Sequence, residues 1–454
     1  MFGSTISRWT MLHFAAATAL FLVAQVAMAS GVAYPAVPVS APETLAVVHL
    51  LTIGWITLLM LGALHQFVPV ITAQTGVAGT SALVSLVAIL VGLAGMEAGF
   101  LTLAGLLPAS IVLALPVGGT FVLVGVIAGT IPLAKMLWRT RPLPFAARFV
   151  AIGLTFLFAT IGAGLMMGLA FARPDWVSWP QAFGRGLQLH LMAGLLGWFM
   201  LTAMGVSYRL LTMFTLAPEE RGLLGTAVLT LSAGGLAVTW LLSVAAAVGA
   251  PIAPALIDAT AGAVALGVAL YFVDMVRLYR ARRRNKLELN TGMARAALAA
   301  FALCVLLAVW ILVSGNDVLV GPLAYLFVFG WLSGLGLSQL YKIVPFLTWL
   351  ERYGSVLGKQ PVPRVQDLVD EARDEPWFIL YFGAVGAGTI FGLLGWPQIW
   401  RIAIIGHLVA SLLIVRALWM ARHGTIGQAR PGRPISGTPA APPSILAPNL
   451  MSSE

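Results

Sequence analysis

Residues 49–69 read HLLTIGWITLLMLGALHQFVP. The stretch is apolar almost throughout and, at 1.5 Å per residue, long enough to cross a hydrocarbon core of about 30 Å. No water is available there to backbone N–H and C=O groups, so the segment must satisfy them internally as a helix. It nevertheless carries a histidine near each end, His49 and His65, with the pair Gly54-Trp55 between them. Ionisable side chains are costly in lipid, so each imidazole needs a partner or a function.

The rest of the chain extends this reading. Of 454 residues, 60% are hydrophobic and only 9% charged, with a mean hydropathy of +0.95. Twelve apolar runs are long enough to span a membrane, at roughly 10–33, 44–70, 79–104, 108–137, 145–172, 183–214, 222–248, 251–277, 294–315, 318–346, 376–395 and 398–420. This composition excludes a soluble enzyme and predicts an all-α polytopic membrane protein. The first run is too long for the core of a signal peptide, despite the small-residue stretch AQVAMAS at 24–30, and is read as a retained helix.

The net charge of +10 invites a nucleic-acid reading, but its placement argues against one. With the N-terminus inside, all 26 Lys and Arg residues except Arg173, Arg185 and Arg401 fall on the inner side, including the run RLYRARRRNK at 277–286. That asymmetry orients a multi-pass protein of a bacterial-type inner membrane with both termini cytoplasmic. The single cysteine, Cys304, rules out an intrachain disulfide and a thiolate metal cage. Residues 1–424 thus form the transmembrane domain, with a polar cytoplasmic loop at 350–375. Beyond it, 425–454 is Pro- and Gly-rich, the composition of a disordered cytoplasmic tail.

The stretch at 49–69 also recurs. Gly54-Trp55 is followed ten residues after the tryptophan by His65, Gly197-Trp198 by Tyr208, and Gly330-Trp331 by Tyr341. The next position is polar or basic each time (Gln66, Arg209, Lys342), and a small residue falls seven after each tryptophan (Gly62, Gly205, Ser338). Glycines and terminal aromatics are ordinary in membrane helices, where they permit close packing and anchor at interfaces. A fixed spacing on the second, sixth and tenth runs needs more than that. It predicts three four-helix repeats, roughly 10–137, 145–277 and 294–420.

With this pattern the chain resembles the large subunit (subunit I) of haem–copper oxidases and nitric oxide reductases. The stretches HLLTIGWITLLMLGALHQFVPVI and HLMAGLLGWFMLTAMGVSYRLLTMF are similar to the short subunit-I-like membrane proteins of bacteria. The resemblance covers essentially residues 10–420. It implies twelve helices in three pseudo-symmetric repeats of four, with helices two, six and ten innermost, as in cytochrome c oxidase subunit I. It also implies a low-spin haem ligand at His49 and a copper ligand at His190. The chain departs from the family at the catalytic centre. The tenth helix, GPLAYLFVFGWLSGLGLSQLYKIVPF, has no histidine, and the seventh, AVLTLSAGGLAVTWLLSVAAAV, has no metal ligand. Copper held by one histidine is an incomplete site, so a standard terminal oxidase is not expected.

His407, on the last helix, is at a depth similar to His49 and His190. It is the expected second axial ligand of a b haem opposite His49, with His190 as the alternative partner. Arg185 and Arg401 stand outward of His190 and His407, positioned either to pair with haem propionates or to anchor the interface. His13 and His65 are expected to snorkel to water, with a second ligand pair as the alternative; His423 is read as a surface residue. Glu97 lies inside the third helix, where a carboxylate must be protonated or paired, and it is a candidate proton or quinol site. Asp258 and Asp274 are expected near solvated helix ends.

The expected function is a membrane-bound b-type haemoprotein for electron transfer, or for binding or reducing nitric oxide or oxygen. Its partners would be lipid, a redox donor or a small gas, and not nucleic acid. A haem- or copper-handling factor, or a transporter, on the same fold is the alternative.

Overall fold

The computed structural model describes residues 4–74, 79–177, 184–219, 222–359 and 361–424, and the tail expected at 425–454 lies outside them. Every regular element among these residues is helical. Twelve helices are long and apolar enough to cross a membrane: α1 (Arg8–Ser30), α2 (Pro42–Thr72), α3 (Gly79–Leu103), α4 (Ala109–Arg139), α5 (Phe145–Ala172), α6 (Gly186–Thr215), α7 (Gly222–Ala247), α8 (Pro254–Arg280), α9 (Leu289–Ser314), α10 (Asp317–Tyr353), α11 (Glu371–Leu393) and α12 (Pro397–His423). Each overlaps an expected run with its ends within about three residues, except that α9 and α11 begin five residues earlier and α10 runs seven residues further than expected. Consecutive pairs pack as hairpins, and α12 returns to pack on α1.

The three helices that carry Gly-Trp are the inner ones. In α2, α6 and α10, 61, 61 and 67% of the most apolar stretch is buried, against 22–44% in the other nine. Each widens into a π-helical segment around its tryptophan, at Leu50–Thr57, Met192–Met200 and Leu326–Ser333. Each π segment ends two residues past the tryptophan, at Thr57, Met200 and Ser333. These positions form a cycle. The Trp55 indole donates to Ser333 Oγ at 2.8 Å, and the Trp198 indole donates to Thr57 Oγ1 at 3.1 Å. The third member of the cycle would be Trp331 donating to residue 200. That residue is a methionine, and Trp331 Nε1 is buried without a partner. Its ring instead stacks on Phe301, with centroids 3.5 Å apart and planes 4° from parallel.

This asymmetry makes a stability prediction. Trp→Phe removes the same volume at all three sites, but at Trp55 and Trp198 it also breaks an interhelical hydrogen bond. Net, such a bond contributes about 1 kcal/mol. Trp331→Phe is therefore expected to be the mildest of the three by about that amount in thermal unfolding of detergent-purified protein. Three equal losses would mean that the indole bonds contribute nothing.

Seventeen positions past each tryptophan stands a threonine (Trp55 to Thr72, Trp198 to Thr215, Trp331 to Thr348), a regularity absent from the spacings tabulated above. Each hydroxyl donates back to the carbonyl four residues earlier, at 2.7, 2.7 and 2.8 Å, which satisfies it within its own helix.

Below the tryptophan cycle the three inner helices enclose a cavity of about 80 Å³, with Phe14 of α1 closing one side. Its lining includes Gln339, whose amide is buried with neither atom partnered. On the face bearing most of the Lys and Arg, the Tyr341 hydroxyl donates to Asp374 Oδ2 at 2.8 Å, and Arg373 donates to both oxygens of that carboxylate at 2.7 and 2.9 Å. Glu288, between α8 and α9, is held by Lys342 at 2.7 Å, by Gln366 at 2.8 Å and by Arg284. Burial pushes the Glu288 carboxyl up, but these partners outweigh it and hold the group below the ordinary carboxylate range.

Three expectations about polar residues need correction. His13 and His65 do not snorkel: they are 0 and 2% exposed and meet edge to face. The Tyr208 and Tyr341 rings at the position equivalent to His65 are likewise buried, so this repeat position faces neighbouring helices rather than the interface. Asp274 is 5% exposed beside Tyr271, because the last turns of α8 are covered by other helices; Asp258 is exposed as expected.

Candidate functional site

Besides His423, the last residue of α12, five histidines lie within the spans, and their ring nitrogens share one arrangement. His49 Nδ1 is 2.7 Å from the carbonyl of Leu45, His190 Nδ1 2.9 Å from that of Thr160, and His407 Nδ1 2.7 Å from Gln25 Oε1. His13 Nδ1 faces the Trp9 carbonyl at 2.9 Å, and His65 Nε2 faces that of Gly129 at 3.1 Å. A carbonyl oxygen only accepts, so the nitrogen facing it carries the proton and the other nitrogen is left as a bare lone pair. This is the tautomer that binds a metal, with the outer N–H held in place.

What separates the rings is access. His49 is the last residue before the α2 π segment, and π segments recur at functional sites because they re-aim side chains. Its ring is half-buried, stacks on Phe100 of α3 at 4.9 Å, and lies close enough to His190 for the two to interact electrostatically. His190, on α6 two residues before the next π segment, is also half-buried and sits against Gly164 of α5. A Cβ on Gly164 would come within 3.1 Å of the imidazole, so the glycine makes room for the ring. Neither Nε2 makes a hydrogen bond among the described residues, and both rings lie near the N-terminal ends of α2 and α6.

Glu97 belongs to the same neighbourhood. Leu93, Glu97 and Phe100 fall at helical spacing on one face of α3. Leu93 Cδ2 is 2.9 Å from where a Cβ on Gly54 would be, and Phe100 covers His49, so that face is turned toward α2. Glu97 Oε1 is buried without a hydrogen-bond partner.

His407 is in a different setting. It is 0% exposed and ringed by Phe329, Tyr325 and Tyr381, with centroids at 4.8, 5.9 and 6.1 Å. Its Nε2 is buried without a partner, and Ser411 joins it in binding Gln25, at 3.2 Å. Tyr325 stands six residues before Trp331, as His49 stands six before Trp55, so the aromatic ring fills the corresponding position in α10. A flat macrocycle would have to displace this packed cage to reach His407, and the donor fits a haem poorly. Among the described residues no three histidine, cysteine or acidic side chains come together as a metal cage.

The two outer arginines cap helix ends. Arg185 donates to the carbonyls of Ala246 and Ala247, the latter at 3.1 Å, at the end of α7. Arg401 Nε donates to Ala29 at 2.6 Å, at the end of α1. Helix C-termini expose unpaired carbonyls and negative partial charge, and both guanidinium groups satisfy them.

No protein-family model and no curated protein matches this chain. Sequence reasoning found His49, His190, His407 and Glu97 as residues. It named both His407 and His190 as partners for His49, but it missed Gln25, Phe100 and Thr160, since partners 30 to 382 positions away leave no local spacing signal.

Proposed function

We propose that this chain is a membrane b-type haemoprotein built on the subunit-I plan of haem–copper oxidases, with three four-helix repeats around α2, α6 and α10. His49 and His190 hold one haem at the outer ends of α2, α3, α5 and α6. The observation that carries this reading is that His49 and His190 are both half-buried, each with Nδ1–H fixed on a carbonyl and Nε2 left bare. The cyclic indole bonds of the inner helices and their common π segments support the repeat plan.

When bound, the haem would supply a reversible one-electron change, and with one of the two imidazoles released it would offer a site for nitric oxide or oxygen. The protein's part is to orient the two rings, with Leu45 and Thr160 fixing their tautomers. Phe100 and Leu93 shield one side from water, and Glu97 offers an unpaired carboxyl on the same face as a proton donor or acceptor. The absence of a three-donor cage among the described residues is the reason for reading electron transfer or gas binding here rather than terminal oxidase chemistry. The charge asymmetry supports a cytoplasmic position for the Lys- and Arg-rich face.

The visible spectrum of the purified protein tests this. A sharp α-band on reduction, at one haem per chain, is expected. A colourless protein that takes up no haem would overturn it in favour of a transporter or metal-handling factor on the same helices.

A further inference from the structure

The pair His13–His65 is not used by the site above, and its chemistry is incomplete. The rings lie on α1 and α2 with centroids 5.4 Å apart and planes at 89°. Their exposures are 0 and 2%. Trp9 and Gly129 fix the protons on His13 Nδ1 and His65 Nε2, so the bare nitrogens are His13 Nε2 and His65 Nδ1, and both are buried without a partner. Two lone pairs cannot bond to each other. Ser85 Oγ, buried and also unpartnered, is 2.5 Å from where a Cβ on Gly129 would be, and His65 Nε2 is 3.6 Å from the same point. Ser85 thus stands on the protonated Nε2 side of His65, and the two bare nitrogens are left with no acceptor for their lone pairs.

The surroundings restrict what that acceptor is. Among the described residues no acidic group acts on either ring. A divalent ion would bury two uncompensated charges, and zinc in such a site takes four ligands. A monovalent d10 ion buries the least charge and accepts two nitrogen donors. We propose that His13 and His65 form a two-nitrogen site for one cuprous ion, separate from the His49–His190 site and on the opposite side of the bundle's thickness.

The test is anaerobic titration of purified full-length protein with cuprous ion buffered by bicinchoninate, in a His49→Ala/His190→Ala background that removes the outer donors. One equivalent retained against the chelator is expected. Adding His65→Tyr, which installs the residue found at this position in the other two repeats, should abolish retention. Adding His13→Met should preserve it, because a thioether binds cuprous ion yet cannot take up a proton, and His13→Ala should lose it. Should His65→Tyr fail to fold, by gel filtration and thermal unfolding, the Met and Ala variants decide. No retention in the background protein, or equal retention with Met and with Ala at position 13, would overturn the proposal and leave a water or a proton between the rings. Since the outer site is removed throughout, failure here does not bear on the haem reading.

Discussion

His49→Ala and His190→Ala are each expected to remove the low-spin haem spectrum from the purified protein, either by loss of haem or by conversion to a high-spin form. His407→Ala is expected to keep it. Deleting an axial ligand opens a coordination position, and the loss of affinity should exceed the roughly 10–100-fold that removing an outer-shell partner costs at metal sites. Deleting His407 removes a hydrogen bond to Gln25 and leaves a cavity inside an aromatic cage, a loss of about 2–4 kcal/mol in stability with no change in colour. Haem content per chain and the reduced absorption spectrum of the three variants check this. A low-spin spectrum abolished by His407→Ala and untouched by His190→Ala would restore His407 as the partner of His49, the pairing that depth along the helices suggests.

Gly118→Leu should separate α3 from α4 and destabilise the protein by about 3 kcal/mol or more, near the upper end for overpacking. A Cβ at Gly118 would lie 2.5 Å from the carbonyl oxygen of Gly92 and 2.5 Å from Met96 N. Both are backbone atoms, so no side-chain rotation can relieve the clash. At Gly92 the added atom would meet Val122 N at 2.5 Å and the Gly118 carbonyl at 2.6 Å, so the contact is mutual. Lipid offers no hydrophobic drive between helices, and small residues that let backbones touch supply the packing instead. The other face of α3 carries Leu93, Glu97 and Phe100, so displacing the helix should also loosen the stack on His49. Thermal unfolding and haem retention should fall together. Gly105→Ala, where nothing lies within 4 Å, controls for the glycine change itself, although the positive φ of 76° adds some strain of its own. A Gly118→Leu protein as stable as the wild type would show that the close approach of α3 and α4 is not required.

The sequence alone determined what depends on local chemistry. Twelve spans follow from the length of apolar runs against the thickness of a bilayer, and no tertiary contact is needed to find them. The Gly-Trp spacing marked α2, α6 and α10 as special, and burial in the structure sets those three apart from the rest. The histidines and Glu97 stood out because ionisable groups are rare and expensive in such segments.

Tertiary structure decided everything that depends on which helix lies beside which. His13 and His65 read as interfacial from their distance to a helix end, but burial depends on the lateral neighbours, and there each meets the other. His49 and His407 looked like a pair from depth alone. Depth is one coordinate of three, and the two other directions put His49 near His190 and enclose His407 among Tyr325, Phe329 and Tyr381. Met200 looked unremarkable until the indole cycle showed it standing where a hydroxyl would complete the ring. A helix reveals its length and its faces in the sequence through periods of a few residues, whereas the partner of each face is chosen by packing between segments that are hundreds of residues apart.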